Sequence, residues 1–434
     1  MMKSREADVV IIGGGITGCA AAYHLAKRGK KVTVVEKGET AGEASGRNTG
    51  GVRVQGRNPA EFPFMLRCIK MWEGLEKELG ADIGYVSGGN LLYVENEADM
   101  EEIERGGRLA KEHGVDSHVI SPEETRKLVP GLTAPVLGGL YSPSDGHADP
   151  VRSTRAFEMA AREAGVEVLT NCAALDVQSR DGRVTSVQTD LGPIEAPWVV
   201  NAAGVWANYV GRKVGHRFPV RIIRQTQAIT EPVSTRVMPF VRGPNSGFRQ
   251  EPGGGIIFTR GYNHPRDYDV TRDTLDNIRV WFPQIIRHHK LVRFHVGRAL
   301  FRSLHARLPL LSRIGRPWPL RSDVEPKVNR RTVDEGLKHL VDTLPWLKGV
   351  REERAWAGLI DLTPDMLPVF GKVGPEGYIV AAGFSGHGFA MGPMSGKLIS
   401  EMIVDGKPSI NIDAFRPGRF AEGVPISPPR NFVG

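Results

Sequence analysis

Asp8-Val9-Val10-Ile11-Ile12-Gly13-Gly14-Gly15-Ile16-Thr17-Gly18 decides the fold, together with the helix over Cys19 to Arg28 and the strand Lys31-Val32-Thr33-Val34-Val35 that ends at Glu36. Four consecutive apolar residues read as a strand buried on both faces. Gly13, Gly15 and Gly18 then fall at the G-x-G-x-x-G spacing. Gly13 permits the tight turn, Gly15 lets backbone approach a pyrophosphate, and Gly18 lets the helix pack on the strand. Ile16 and Thr17, in the turn before the helix, join the cofactor-binding set, and the helix's free N–H groups and dipole favour phosphate. Glu36, at the end of the second strand, is placed to accept both hydroxyls of a ribose. An acid there argues against a 2′-phosphate, which calls for arginine. A glycine-rich turn without a ligand has no need of that acid, so the expectation is a dinucleotide site on a Rossmann-like α/β unit.

Working outward, Lys37 leads into Ala44-Ser45-Gly46-Arg47-Asn48-Thr49-Gly50-Gly51-Val52-Arg53. This loop is rich in free backbone N–H groups, which suit a phosphate or the edge of a flavin ring. Phe64, Ile69, Trp72 and Leu75 recur at helical spacing between Glu61 and Leu79 and predict a core-facing helix. Trp198 to Trp206 reads as a buried strand ending on the small turn Ala202-Ala203-Gly204, a second close approach to a ligand. Tyr378 to Ala382 is a strand, followed by Gly383-Phe384-Ser385-Gly386-His387-Gly388 and a helix from about Phe389 to Val404. That strand–loop–helix unit lacks the spacing of a second nucleotide fingerprint, so no NAD(P) domain is expected. Between Pro219 and Tyr262, short strands separated by Gly and Pro predict a mostly antiparallel sheet. His147, with Asp145 and Asp149, is read as bracing a turn rather than as a metal site, and no metal is expected.

A chain of 434 residues exceeds one ordinary core, and two domains are expected. Residues 1–85, 143–215 and 335–434 are assigned to a cofactor domain. Residues 86–142 and 216–334 are assigned to a substrate domain, with a basic helical excursion over 287–331. The net charge of +8 admits an anionic substrate, an acidic partner subunit, an anionic membrane surface or nucleic acid. Nucleic acid is set aside because no recognition module surrounds the basic stretch. Residues 287–331 carry either a partner subunit or an anionic bilayer, or cover their own domain. Three cysteines at 19, 68 and 172 have no metal-like or redox spacing and give no disulfide framework. With no secretory or membrane-spanning pattern, a cytoplasmic location is expected, peripheral on the inner face of the membrane if 287–331 meets lipid.

Four stretches together resemble the D-amino-acid oxidase and sarcosine oxidase superfamily. They are the fingerprint through Glu36, Ala44 to Gly51, Trp356-Ala357-Gly358 with Thr363-Pro364-Asp365, and Gly383 to Gly388. Within it, the chain looks most like the β-type subunits of heteromeric sarcosine oxidase, dye-linked proline dehydrogenase and the opine or hydroxyproline oxidases. The resemblance implies FAD on a glutathione-reductase-like fold of the amino-acid oxidase type, with a mostly antiparallel α+β substrate domain. The flavin ring would lie between the Ser45–Gly51 loop and the Gly383–Gly388 loop. It implies hydride transfer from the carbon beside a nitrogen to flavin N5, then hydrolysis of the imine. Arg53 falls where sarcosine-oxidase-like members hold a substrate carboxylate. Arg249 is a second candidate, Tyr262 a wall of the site, and His387 a further catalytic candidate. The cofactor set is completed by Ala203, Gly204, Trp206, Gly358, Gly386, Gly388 and Phe389.

Three departures from the family pattern follow. Gly358 stands where monomeric oxidases link flavin to cysteine, so non-covalent FAD is expected. The β-type subunits attach FMN through a histidine just before the Val151 helix. Here Pro150 falls at that offset and His147 lies nearby, leaving FMN at a second site if a partner subunit exists. Thr259 takes the place of an oxygen-activating lysine, which favours a dehydrogenase or a slow oxidase. The alternatives are a 2-hydroxy-acid or glycerol-phosphate dehydrogenase on the same fold, and a flavin-bearing subunit whose work is assembly.

Overall fold

The computed structural model describes residues 5–287, 289–305 and 325–423. A six-stranded sheet runs Val369–Lys372, Tyr378–Ala382, Trp198–Asn201, Val9–Ile12, Val32–Val35, Glu167–Leu169. Its neighbours are parallel except the first pair. The strand Val9–Ile12 is buried along its whole length, as an unbroken apolar run requires of a strand covered on both faces.

Two helices lie on this sheet in close contact, Ile16–Ala26 and Gly388–Val404. A Cβ on Gly396 would sit 2.5 Å from the backbone at Ala20 and Ala21, and one on Gly392 would sit 2.5 Å from Ile16 Cγ2. Glycines one helical turn apart thus allow near backbone contact. The third helix, Phe62–Leu79, buries Phe64, Ile69, Trp72 and Leu75 as its spacing predicts. Trp72 Nε1 donates to Ala390 O at 2.9 Å, pinning it to Gly388–Val404.

The second sheet has ten strands. The long strand Arg221–Thr230 pairs antiparallel with Glu352–Leu362, Ile256–Arg260 and Arg266–Asp269. Ser246–Gln250 and Phe240–Arg242 extend it toward Asn90–Val94 and Gly138–Ser142. Most of its pairs are antiparallel, as the turn spacing suggests.

Two assignments need correction. The helix Arg330–Thr343 packs Val333 and Leu340 into the same core as Phe248 and Phe258 of the second sheet. Glu352–Leu362 is itself a strand of that sheet, although the sequence expectation places residues 335–434 in the cofactor domain. The helix is amphipathic, and amphipathicity does not say which sheet it covers. The 287–331 segment is also not wholly helical. Val292–His295 is a strand paired parallel to Arg266–Asp269, and Arg298–His305 is a helix. Residues 306–324 lie outside the described residues.

Candidate active site

The glycines of the fingerprint act as their spacing demands. Gly13 turns at φ +114°, where an added Cβ would overlap the Ala202 carbonyl, and one on Gly18 would overlap Gly13 O. A Cβ on Gly15 would come within 2.8 Å of Ser45 Oγ. That hydroxyl accepts from Ile16 N at 3.0 Å, so the helix cap arrives from the next loop. Glu36 accepts from Gly14 N at 2.7 Å and Gly38 N at 2.8 Å. Burial raises its carboxyl above the ordinary range, and these two N–H groups pull the other way.

Two hollows meet here. One is lined by Gly13, Gly15, Glu36, Lys37, Ala203 and Trp206. Lys37 Nζ sits 4.3 Å from the Trp206 ring centre and pairs with Glu43 at 3.1 Å. The other hollow lies between the sheets. The two share Gly15, Ala44, Ser45, Ala202, Gly204 and Leu359, and so form one continuous cleft. Gly15, Ile16 and Thr17 line the second chamber at one helix start, and Gly386, Gly388 and Phe389 line it at another. Two positive helix ends therefore face one space, a match for a ligand with phosphates and an electron-rich ring. The glycine cradle, the acid at the strand end and the paired helix starts fit FAD.

The loop over 44–51 is fixed to the second sheet. Arg47 Nη1 donates to Ala357 O at 3.2 Å, and Arg47 O accepts from Trp356 Nε1 at 3.1 Å and from Gln227 Nε2. A Cβ on Gly358 would meet Arg47 Cβ at 3.1 Å, which gives a packing reason for glycine there. Arg47, Asn48, Thr49, Gly51 and Gly358 line the chamber. Gly18, Gly50 and Gly383 do not: Gly18 lets the helix pack against the Gly13 turn, and Gly50 and Gly383 shape turns at positive φ.

One corner of the chamber concentrates positive charge. Arg53, Arg57 and Arg242 line it and are almost fully buried. Arg242 Nη2 donates to Gln55 Oε1 at 2.9 Å, while its Nε and Nη1 have no partner. Arg53 Nη1 donates to Gln55 O. Burial, then Arg242 and Arg57, hold the Arg53 guanidinium well below the ordinary arginine value, and burial pushes Arg242 down to about 10. Two carboxylates stand behind. Asp145 accepts from Val54 N at 2.7 Å and Gln55 N at 3.1 Å, and burial lifts it to about 6. Burial lifts Glu61 to about 7. Three guanidiniums thus face two carboxyls whose burial favours the neutral form, leaving net positive charge and unpartnered N–H donors on residues that line the chamber.

The remaining candidates divide. Tyr262 lines the chamber, with its hydroxyl donating to Asp99 Oδ2 at 3.0 Å. Thr259 lines it too. Arg249 does not: its Nε donates to Thr49 O and its Nη2 pairs with Glu251 at 3.3 Å, so it braces the loop from behind. His387 also sits behind the wall, Nδ1 2.9 Å from Glu61 Oε1. Neither is among the residues that line the chamber. His147 is 2% exposed, in a short strand paired antiparallel with Gly51–Val52, so its ring is not offered at the surface. Asp149 caps the helix Pro150–Glu163, so this turn is braced as its residues suggest.

Sequence reasoning missed Arg57, Arg242, Arg266, Gln225 and Asp361, all of which line the chamber. Asp361 lies in a strand and accepts from Gly383 N at 2.6 Å, fixing the loop that leads to the second helix start. Burial lifts its carboxyl to about 6 from the ordinary 3.8. Between those values the folded protein holds a proton that the unfolded chain has released. Its stabilising effect is therefore complete below the window and is lost as pH rises through about 6. Asp361→Asn removes that loss. Thermal melts should show the variant gaining on the parent by up to about 3 kcal/mol between about pH 4 and pH 7. A pH-independent difference would refute the titration.

The family model for FAD dependent oxidoreductases, DAO, matches residues 8–402. The chain belongs to that family. It is 29% identical to the mitochondrial sarcosine dehydrogenase of Mus musculus over 95% of this chain and 41% of that protein. The chain thus spans about two fifths of the length of that relative. It is 26% identical to the sarcosine oxidase subunit beta of Rhizobium meliloti, covering 96% of this chain and 89% of that one. Among solved structures, the L-amino acid deaminase from Proteus myxofaciens in complex with anthranilate superposes with a TM-score of 0.88 at 25% identity, covering 96% of this chain and 94% of that one. Membership of the DAO family agrees with the FAD fit of the cleft and with a fold built on a six-stranded and a ten-stranded sheet. Among the described residues, no helix is long and apolar enough to cross a membrane.

Proposed function

We propose that the chain oxidises a C–N bond in an amino acid or N-substituted amino acid, with FAD bound non-covalently along the cleft. The observation that carries this reading is the corner of Arg53, Arg57 and Arg242, which has buried, unpartnered donors on the same chamber as two helix starts. Gly13, Gly15, Glu36, Lys37 and Trp206 would hold the ADP half of FAD, and the 44–51 and 386–389 segments its ring. FAD, when bound, accepts the hydride from the carbon beside nitrogen, and water hydrolyses the imine. Arg53 and Arg242 hold the substrate carboxylate, since a guanidinium fork suits a planar carboxylate. Phe240, Thr259 and Tyr262 wall the substrate. The two helix starts favour negative charge on a reduced ring. No acid–base pair is needed, because positioning the C–H bond is the main task.

Thr259 in place of a lysine favours an acceptor other than oxygen. We assign the partner that receives electrons to the basic 287–331 segment. Likeness to an oxidase subunit supports a partner, and no acidic residue stands between Asp276 and Asp323. The test is an anaerobic absorbance scan of the purified flavoprotein against N-methyl amino acids, D- and L-amino acids and 2-hydroxy acids, followed by air or a redox dye. Bleaching by amino acids, with faster recolouring by dye than by air, is expected. Bleaching by 2-hydroxy acids or glycerol phosphate alone would overturn the reading, and a yellow protein that nothing bleaches would favour an assembly subunit.

A further inference from the structure

Building on the amine-oxidising reading above, we propose that the substrate carries two carboxylates, the second held by Arg260 and Arg266 on the wall formed by the second sheet. Both side chains line the chamber, from the strands Ile256–Arg260 and Arg266–Asp269. Arg266 Nη1 donates to Gln225 Oε1 at 2.7 Å, a neutral partner, and among the described residues no carboxylate pairs with it. Arg260 Nη1 pairs with Glu335, but Glu335 is shared with Arg331, and Arg260 Nε is buried without a partner. The local field is positive. His264 beside them is pushed down to about 4 by burial, then by Arg260, Arg293 and Arg266. Arg242, in the first corner, is also disfavoured by Arg266, so the two clusters feel each other across the space.

A monocarboxylate satisfies one corner and leaves the other with two arginines, one sharing Glu335 and one, Arg266, without a carboxylate partner among the described residues. An N-carboxyalkyl amino acid, with a carboxylate on each side of a secondary amine, satisfies both and suspends the C–N bond between two anchors. Two electrons and the C–H hydrogen pass to FAD as hydride, and the N–H proton goes to solvent. Water then splits the C=N bond into a carbonyl acid and a primary amino acid. The same anchoring would reject N-alkyl analogues that lack the second carboxylate, because Arg266 would keep only the neutral Gln225 as its partner.

The test compares matched pairs on the flavin-loaded protein by anaerobic stopped-flow: N-(carboxymethyl)glycine against N-ethylglycine, and N-(1-carboxyethyl) amino acids against their N-isopropyl counterparts. The dicarboxylates should reduce the flavin with a second-order rate higher by about tenfold or more. In Arg266→Gln that preference should fall toward one. Equal or better reduction by the monocarboxylates of the wild-type protein would overturn the second carboxylate site alone. Reduction by neither class, with 2-hydroxy acids active, would overturn the amine reading and this inference with it. The wild-type comparison stands even if the variant fails to fold.

Discussion

Arg53→Ala should remain yellow and lose about a thousandfold in the second-order rate of anaerobic flavin reduction by its amino-acid substrate, roughly 4 kcal/mol of binding to the reacting state. Losing a charge-assisted carboxylate contact in a buried corner costs on this scale, because a substrate carboxylate is left desolvated beside donors that no longer reach it. The loss should fall mainly on substrate affinity, with a smaller share in the limiting reduction rate as the C–H bond drifts from its position. Arg53→Lys should recover part of it, since an ammonium supplies charge but not the paired fork. The fold should tolerate the change. Arg53 lies between like charges and carboxylates, and burial, Arg242 and Arg57 outweigh Asp145 and Glu61 in opposing its ionised form, so its removal relieves net repulsion. Stopped-flow reduction across a substrate series, with the flavin-to-protein absorbance ratio as control, checks the result. A variant within about threefold of the parent rate would remove Arg53 from the substrate site.

Gly396→Val should yield a colourless protein. Any side chain there is driven into the backbone at Ala20 and Ala21, 2.5 Å from an added Cβ, and backbone cannot turn aside as a flexible side chain can. The helices Ile16–Ala26 and Gly388–Val404 must separate, at a cost of about 3 kcal/mol or more. Their starts would then no longer face the same chamber. Expected results are a lower melting temperature and little response of that temperature to added FAD, whereas the parent should gain stability by mass action. Gly74 supplies the control. It lies in the helix Phe62–Leu79 with nothing within 4 Å of an added Cβ, so Gly74→Ala should stabilise by about 0.5–1 kcal/mol. A Gly396→Val protein that purified with full flavin would contradict the account of how the helices pack.

The cofactor half was legible because its determinants are contiguous. Strand, glycines, helix, strand and acid occupy Asp8 to Glu36, and each has a local physical reason. The substrate half was legible only at Arg53 and Tyr262, through the family resemblance; Arg242 and Arg266 come from separated segments whose meeting with Arg53 depends on strand register. A signal was present: Phe240-Val241-Arg242 and Ile360-Asp361-Leu362 set a charge inside apolar strand. Such a charge must be paired or serve a ligand. Arg249, in Phe248-Arg249-Gln250, carries the same signal yet braces the 44–51 loop, so the pattern alone does not separate ligand from brace. Glu61 read as the start of a helix. Its part in a capping box with Asn58, and its pairing with His387 from the far end of the chain, needed coordinates.

The parallel sheet draws adjacent strands from 9–12, 198–201 and 378–382. On the ribosome, the first of these emerges long before the last is translated. Until about residue 400 has left the exit tunnel, Trp198–Asn201 has an open edge and the helix Ile16–Ala26 lacks the neighbour that covers it. A half-made chain therefore displays a sticky apolar strand and has no grip on flavin, the kind of intermediate that recruits chaperones or aggregates. Vitamin supply would then act late, by trapping finished chains rather than by guiding unfinished ones, and riboflavin-starved cells should lose this protein to proteolysis after synthesis, not during it.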